Sequence, residues 1–212
     1  MTDILLLGVS YKTAPVEIRE RFAQAPDYDR RIYSSFRGSK VIREGLFLST
    51  CNRFEILTVS EDPEGAREEV LDLFRSIGGM ERDRLVPLLY EKRDKEAIAH
   101  IFRVASSLDS MVIGEPQILG QIKEAYRSAT EHKTTGVILN RLMHRAFHTA
   151  KRVRTETGIS ESAVSVSYAA VELAKRIFNE LKGKCALLVG AGEMGELAAK
   201  HLVKGGISRL LV

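Results

Sequence analysis

Cys185-Ala186-Leu187-Leu188-Val189-Gly190-Ala191-Gly192-Glu193-Met194-Gly195 is the stretch that decides the fold. An apolar run reads as a buried strand, a G-x-G-x-x-G turn follows, and Glu196 to Val203 continues as a helix. Gly190 allows the tight turn after the strand. Gly192 lets the backbone approach a pyrophosphate, and Gly195 permits close packing of helix on strand. The positive end of the helix then stabilises phosphate charge. The bare motif is weak and competes with a merely structural glycine turn. Its weight comes from the strand before it, the helix after it, and a second strand, Arg209 to Val212, at the right distance. The expectation is an α/β chain in which residues 158–212 begin a Rossmann-type domain, cut short because a mononucleotide half needs more strands. The residue that would choose between NAD and NADP lies past Val212.

Upstream, Ser49-Thr50-Cys51-Asn52-Arg53 follows the apolar Leu46-Phe47-Leu48 and precedes Phe54-Glu55-Ile56-Leu57. A thiol at the end of a buried strand, flanked by hydroxyls, an amide and a guanidinium, differs from the apolar surroundings of a structural cysteine. A fixed positive charge nearby favours a thiolate. A candidate nucleophile and a candidate dinucleotide site in one chain suggest thioester chemistry coupled to hydride transfer. Cys185, in an apolar strand, is expected in the core.

Composition sets the outer limits. The chain has 212 residues, 44% hydrophobic and 28% charged, with a net charge of +4, which fits a globular protein of one large or two small domains. Nothing resembles a membrane span or a signal peptide. Two cysteines indicate neither a disulfide framework nor a metal site, and a reducing cytoplasm fits them.

The N-terminal part alternates strands and helices. Ile4 to Val9 reads as a strand, and Thr13-Ala14-Pro15 starts a helix with Thr13 as N-cap. Residues 45–50 and 54–60 are strands meeting at Cys51, and Glu64 to Ile77 is an amphipathic helix ended by Gly78-Gly79. Val86 to Tyr90 reads as a strand. Asp94 caps a helix to about Ser107 with Ile98, Ile101, Phe102 and Ala105 on one face. Gly114-Glu115-Pro116 breaks the chain and starts a helix through Glu131. A further helix runs from Ser160 through Leu181.

Between these, Leu139, Leu142, Met143, Ala146, Phe147, Ala150 and Val153 form the apolar stripe of a long connecting helix. Arg141, Arg145, His148 and Arg152 lie opposite. From His132 to Thr155 there are six Lys or Arg and no acid. That face is either solvated or a track for a phosphate backbone. His100 lies on the flank of its helix stripe, where a histidine is more often a surface or satisfied side chain. Ser110, Glu115, Gln117 and Gln121 form a group able to hold an amino acid's polar atoms, or a helix cap with solvated glutamines; Gln117 and Gln121 share a helix face.

Four stretches then carry a resemblance. Gly8-Val9-Ser10-Tyr11-Lys12-Thr13-Ala14-Pro15, Leu48-Ser49-Thr50-Cys51-Asn52-Arg53, Gly114-Glu115-Pro116-Gln117-Ile118-Leu119-Gly120-Gln121 and Val189 to Gly195 resemble the glutamyl-tRNA reductase family, in family order over essentially the whole chain. The resemblance implies NADPH-dependent reduction of glutamyl-tRNA to glutamate-1-semialdehyde through a cysteine thioester, the first step of five-carbon tetrapyrrole (5-aminolevulinate) synthesis. It implies an α+β catalytic, glutamate-binding domain over residues 1–157, including the connecting helix, and the start of an NADP domain over 158–212.

Residue by residue, the resemblance makes Cys51 the nucleophile and His100 a residue needed for activity. Thr50, Cys51, Asn52, Arg53, Ser110, Glu115, Pro116, Gln117 and Gln121 match positions that hold the glutamate. Gly190, Ala191, Gly192, Glu193, Met194 and Gly195 match the NADP loop, and no metal is implied. Arg53 is open to two roles, pairing with the substrate carboxylate or activating the thiol. The resemblance also implies a homodimer for the full-length protein, through a C-terminal domain with no counterpart here, and glutamate-1-semialdehyde aminomutase as a partner. Two rival readings are another thioester-forming acyl reductase, acting on an acyl-CoA or acyl-phosphate, and a non-catalytic tRNA-binding module.

Overall fold

Runs of residues buried on both sides build a sheet at the centre of the first of two compact units. The computed structural model describes residues 2–23, 27–160, 166–190 and 192–212, and divides into Met1–Ile159 and Ser160–Val212. In the first unit β1 (Asp3–Ser10), β2 (Ile42–Ser49), β3 (Arg53–Ser60) and β4 (Tyr90–Arg93) pair antiparallel in the order β2-β3-β1-β4. Residues directly opposite across a ladder share a face. Leu7 and Phe47 both stand opposite Ile56, while Gly8 and Leu48 both stand opposite Glu55.

The Ile56 face is covered by α1 (Val16–Ala23), α2 (Tyr28–Gly38) and α3 (Pro63–Gly78). There Phe22 stacks on Phe54 at 5.1 Å and meets Phe74 edge-on at 5.5 Å. After the short α4 (Arg82–Leu85), α5 (Asp94–Ala105) covers the Glu55 face. Next, α6 (Gln117–Glu131) runs beside β2, and α7 (Val137–Glu156) packs on α5 and α6 through Leu139, Leu142, Met143, Ala146 and Ala150. Burial on both faces is why β1 and the middle of β2 and β3 read as near-continuous apolar runs rather than alternating ones.

Several boundaries differ from the sequence reading. Val86–Tyr90 is not a strand: Val86–Leu88 is a 3-10 turn, closed by Leu89 N–H to the Val86 carbonyl at 3.1 Å. Pro87 has no N–H for a ladder, so Tyr90–Arg93 pairs with β1 instead, as a charged edge strand. Thr13 does not cap α1. Its hydroxyl accepts the Ser10 N–H at 3.1 Å, and the Pro15 carbonyl accepts the Ile18 and Arg19 N–H groups. The Asp94 carboxylate caps no helix of its own; it accepts the Ile4 N–H at 2.9 Å, which ties the start of α5 to β1.

One buried carboxylate was not foreseen. Glu44 of β2 accepts the N–H groups of Gly136 (3.0 Å), Ile138 (3.1 Å) and Leu139 (2.7 Å), so it satisfies the free donors at the start of α7 with a full negative charge. Glycine at 136 leaves room for this bond, since a Cβ there would stand 2.5 Å from Glu44 Oε1 and displace the carboxylate from its donors. Glu44→Ala would strand these donors, and a loss of about 2–3 kcal/mol is expected. The check is a lower denaturant midpoint at unchanged slope. A wild-type midpoint would show that water replaces the carboxylate without cost.

In the second unit, α8 (Val166–Phe178) replaces most of the expected Ser160–Leu181 helix, residues 161–165 lying outside the described set; Asn179 at φ 62° ends it. Then β5 (Cys185–Leu187) and β6 (Arg209–Leu211) pair parallel around α9 (Glu193–Lys204). Cys185 is exposed rather than core. The pair has two strands, and among the described residues nothing covers the side of β5 that bears Cys185 and Leu187.

Candidate active site

The β2–β3 connection is a three-residue turn, Thr50-Cys51-Asn52, and Thr50 holds it. Its hydroxyl accepts the Asn52 and Arg53 N–H groups at 3.1 Å each, and its own N–H donates to the Arg53 carbonyl at 2.9 Å. The loop after β1 braces the turn through Tyr11 N–H to the Asn52 carbonyl at 2.9 Å, and Arg19 of α1 donates to the Cys51 carbonyl. Cys51 is thus an exposed, free thiol on a fixed turn. No side chain among the described residues hydrogen-bonds its sulfur.

Arg53 turns away from that thiol. It begins β3 with its side chain 2% exposed, on the same face as Glu55 two residues on, and Nη1 lies 2.7 Å from Glu55 Oε1. Its Nη2 donates to the Asp109 carbonyl oxygen and stands 3.8 Å from the Asp109 carboxylate.

His100 is buried, a correction to the flank position expected for it. Its helix turns Ala97, His100, Ile101 and Val104 inward. Nε2 lies 2.7 Å from Glu55 Oε1, and Nδ1 lies 3.7 Å from Asp109 Oδ2. Burial raises the Glu55 pKa, but the His100 hydrogen bond and the Arg53 charge outweigh it and bring it down to about 2. An ionised carboxylate only accepts, so Nε2 carries the imidazole proton. The Tyr90 hydroxyl donates to the same Glu55 oxygen, and burial together with the Glu55 charge raises the phenol pKa far above its usual value.

Gly8 makes room for this cluster. It stands opposite Glu55 on one side and Tyr90 on the other, and a Cβ there would come within 2.8 Å of Glu55 and 2.9 Å of the Tyr90 ring. Asp109, in the loop after α5, closes the cluster by pairing with Lys12. Burial raises the Asp109 pKa, while the Lys12 bond and the Arg53 charge lower it further. Sequence reasoning missed Glu55, Tyr90, Asp109 and Lys12. The available signal was a lone acid inside the apolar strand Phe54–Val59.

The rest of the expected glutamate set is spread around this centre. Ser110 is buried next to Asp109 in the same loop. Glu115 enters through its carbonyl, which accepts from Ser107 Oγ and from Arg154 Nη2, each at 2.7 Å. Pro116 directly precedes α6, whose first turns carry Gln117 and Gln121 half-buried. Gln121 lines a cavity of about 270 Å³ with Ser49, Tyr28, Phe47 and Glu124. The structure therefore brings Thr50, Asn52, Arg53 and His100 to one end of the sheet and sets Gln121 beside Ser49.

In the second unit Gly190 has φ 112°, open only to glycine, and a Cβ at Gly195 would lie 2.5 Å from the Gly190 carbonyl oxygen. Gly192 precedes the first turn of α9, and the space beyond it is open. The backbone of Glu193 and Met194 forms that turn, so α9 starts earlier than the Glu196 expected; Ala191 lies outside the described residues. The turn has the room and the N–H groups a dinucleotide phosphate needs. Among the described residues, no group of three or more His, Cys, Asp or Glu could hold a metal ion, and no helix is long and apolar enough to cross a membrane.

Comparison with known proteins agrees in both units. The family model described as "Glutamyl-tRNAGlu reductase, N-terminal domain" matches residues 7–157, and one described as "Shikimate / quinate 5-dehydrogenase" matches residues 172–212. The chain is 56% identical over 211 residues to a glutamyl-tRNA reductase of Syntrophus aciditrophicus, covering 99% of this chain and 50% of that protein. It is 54% identical over 213 residues to one of Syntrophobacter fumaroxidans, covering 100% and 46%. The solved glutamyl-tRNA reductase of Methanopyrus kandleri is similar with a TM-score of 0.67 at 38% identity, over 99% of this chain and 49% of that one. The chain spans about half the length of the curated relatives it matches.

Proposed function

The chain belongs to the glutamyl-tRNA reductase family, and from that premise we propose that it carries out the acyl-capture half of an NADPH-dependent reduction of glutamyl-tRNA to glutamate-1-semialdehyde. Residues 1–157 form the catalytic, glutamate-binding unit, and residues 158–212 belong to the nucleotide-binding unit. The observation that carries the proposal is Cys51: a free, exposed thiol on a braced turn, at the same end of the sheet as the buried His100–Glu55–Arg53 cluster.

In this reading the Cys51 thiolate attacks the ester carbonyl of glutamyl-tRNA. A carbon–sulfur bond forms, the bond to the ribose oxygen breaks, and that oxygen takes from water the proton that the Cys51 thiol gave up on ionising. The aminoacyl ester is already activated, so no ATP is consumed. The Gly190–Gly195 turn would hold the phosphates of NADPH, which would supply the hydride needed to reduce a thioester to an aldehyde. Thr50, Asn52, Arg53, Ser110, Glu115, Pro116, Gln117 and Gln121 hold the glutamyl group. His100, oriented through Nε2 by Glu55, serves the acyl transfer from the same end of the sheet. The full-length protein acts as a homodimer in the cytoplasm and passes its reactive aldehyde to glutamate-1-semialdehyde aminomutase.

The direct test is mass spectrometry of the chain mixed with glutamyl-tRNA in the absence of reductant. A glutamyl adduct on Cys51 is expected. An unmodified Cys51 under conditions that label Cys185, or an acyl-CoA giving the adduct where glutamyl-tRNA does not, would sink the proposal.

A tRNA track on α7 is part of the same reading. Arg141 and Arg145 are exposed, and no carboxylate among the described residues pairs with either; Arg152 is neutralised by Glu156 at 2.8 Å. Alanine at 141 and 145 should weaken binding across tRNAs and flatten its salt dependence by about one unit of log–log slope per lost contact. Affinities measured at several salt concentrations decide: parallel slopes with equal affinities leave α7 a solvated helix.

A further inference from the structure

Three cations surround the turn that carries Cys51, and they differ in what neutralises them. Arg53 is compensated inside the fold by Glu55 at 2.7 Å and by the Asp109 carboxylate at 3.8 Å. Lys12 is ion-paired with the same Asp109. Arg19, the fourth residue of α1, has no carboxylate partner among the described residues. Its Nε–H donates to the Ala14 carbonyl at 3.2 Å. Its Nη1 donates to the carbonyl oxygen of Cys51 itself, with Asn52 Oδ1 3.5 Å away.

We infer that Arg19 is the positioning residue of the candidate nucleophile, clamping the Cys51 peptide and placing an uncompensated positive charge on the turn that carries it. The inference rests on the acyl-transfer reading above and names a residue that reading does not use. Two physical consequences follow from the geometry. A guanidinium is a rigid planar fork. With one prong at the Ala14 carbonyl, just before α1, and another at Cys51, it adds to the Thr50 and Tyr11 bonds that limit the φ and ψ freedom of an exposed turn. The bond to the Cys51 carbonyl sets that charge on the residue that bears the sulfur. The thiolate is the reactive form of cysteine and a nearby cation favours it. The role that sequence adjacency suggested for Arg53 therefore falls to a residue 32 positions before Cys51.

The test needs no tRNA. Cys51 and Cys185 are both exposed, so one chain carries its own reference thiol. Iodoacetamide labelling at one near-neutral pH, read by peptide mass spectrometry, yields the ratio of the two rates. The Arg19→Met variant should lower the Cys51-to-Cys185 ratio about tenfold, the scale of losing one nearby unit charge. The Arg19→Lys variant, which keeps the charge, should restore most of it. An unchanged ratio in Arg19→Met overturns the inference, and so does an equal fall in both variants, since the charge would then do nothing. If labelling follows the expected pattern but glutamyl-tRNA never acylates Cys51, the Arg19 assignment stands and the reductase reading fails.

Discussion

Cys51→Ser is expected to abolish both glutamyl transfer to the chain and reduction by the full-length protein, by roughly 10³-fold or more, while tRNA affinity stays near wild type. A serine hydroxyl at this turn keeps the size and the backbone bonds of Thr50 and Tyr11, so the fold is not at stake. What is lost is the anion. A thiol is partly ionised near neutral pH and a hydroxyl is not, and no side chain among the described residues hydrogen-bonds the Cys51 sulfur to take a proton from a serine in its place. Cys185→Ser should retain both activities, because that residue lies in β5 of the second unit, outside both the Cys51 turn and the Gly190–Gly195 turn. Full-length Cys51→Ser protein turning over at a near-normal rate would end the thioester mechanism, whatever the labelling of the shorter chain.

How far this site could be read in advance depends on whether its partners are local in sequence. The Cys51 turn is local: its hydroxyl, amide and strand flanks all lie within a few residues, and the turn stands where the pattern places it. The Gly190–Gly195 turn is local for the same reason. Arg53 shows the opposite case: it is the first residue of β3 while Cys51 lies in the turn before it, and its side chain shares the buried face of Glu55, two residues on, rather than the surroundings of the thiol. Glu55, Tyr90 and Gly8 meet only through the register of three strands, and 35 residues separate Tyr90 from Glu55. His100 looked peripheral because Ile98 and Phe102 pull the apparent stripe of α5 away from the side that Ala97, His100 and Val104 bury. Val86–Tyr90 failed on propensity alone, since apolar residues around Pro87 fit a turn as well as a strand.

The other large effect belongs to Glu55. Its carboxylate is the only acid within hydrogen-bonding distance of the buried Arg53 guanidinium among the described residues, and it also accepts from His100 and Tyr90. Glu55→Ala leaves that buried guanidinium without its hydrogen-bonded carboxylate, with only the Asp109 carboxylate at 3.8 Å to compensate it, and breaking a buried pair costs about 3–5 kcal/mol. Against a typical total of about 5–15 kcal/mol, that is enough to leave the catalytic unit partly unfolded. Glu55→Gln keeps an acceptor for Arg53 and His100 and separates the charge from the shape. The folded Glu55 pKa of about 2 lies below the ordinary 4.5. A depressed carboxylate contributes stability that is complete above the unfolded value and is lost as pH falls through the folded one. Asp109 is shifted in the same direction. The advantage of wild type over Glu55→Gln, on the order of 3 kcal/mol at neutral pH, should therefore shrink between about pH 4.5 and pH 2. Urea unfolding of both proteins across that range measures the difference directly. A gap that stays constant with pH would mean that Glu55 holds the cluster by shape and hydrogen bonding, and that its charge is not what makes the Arg53–His100 arrangement stable.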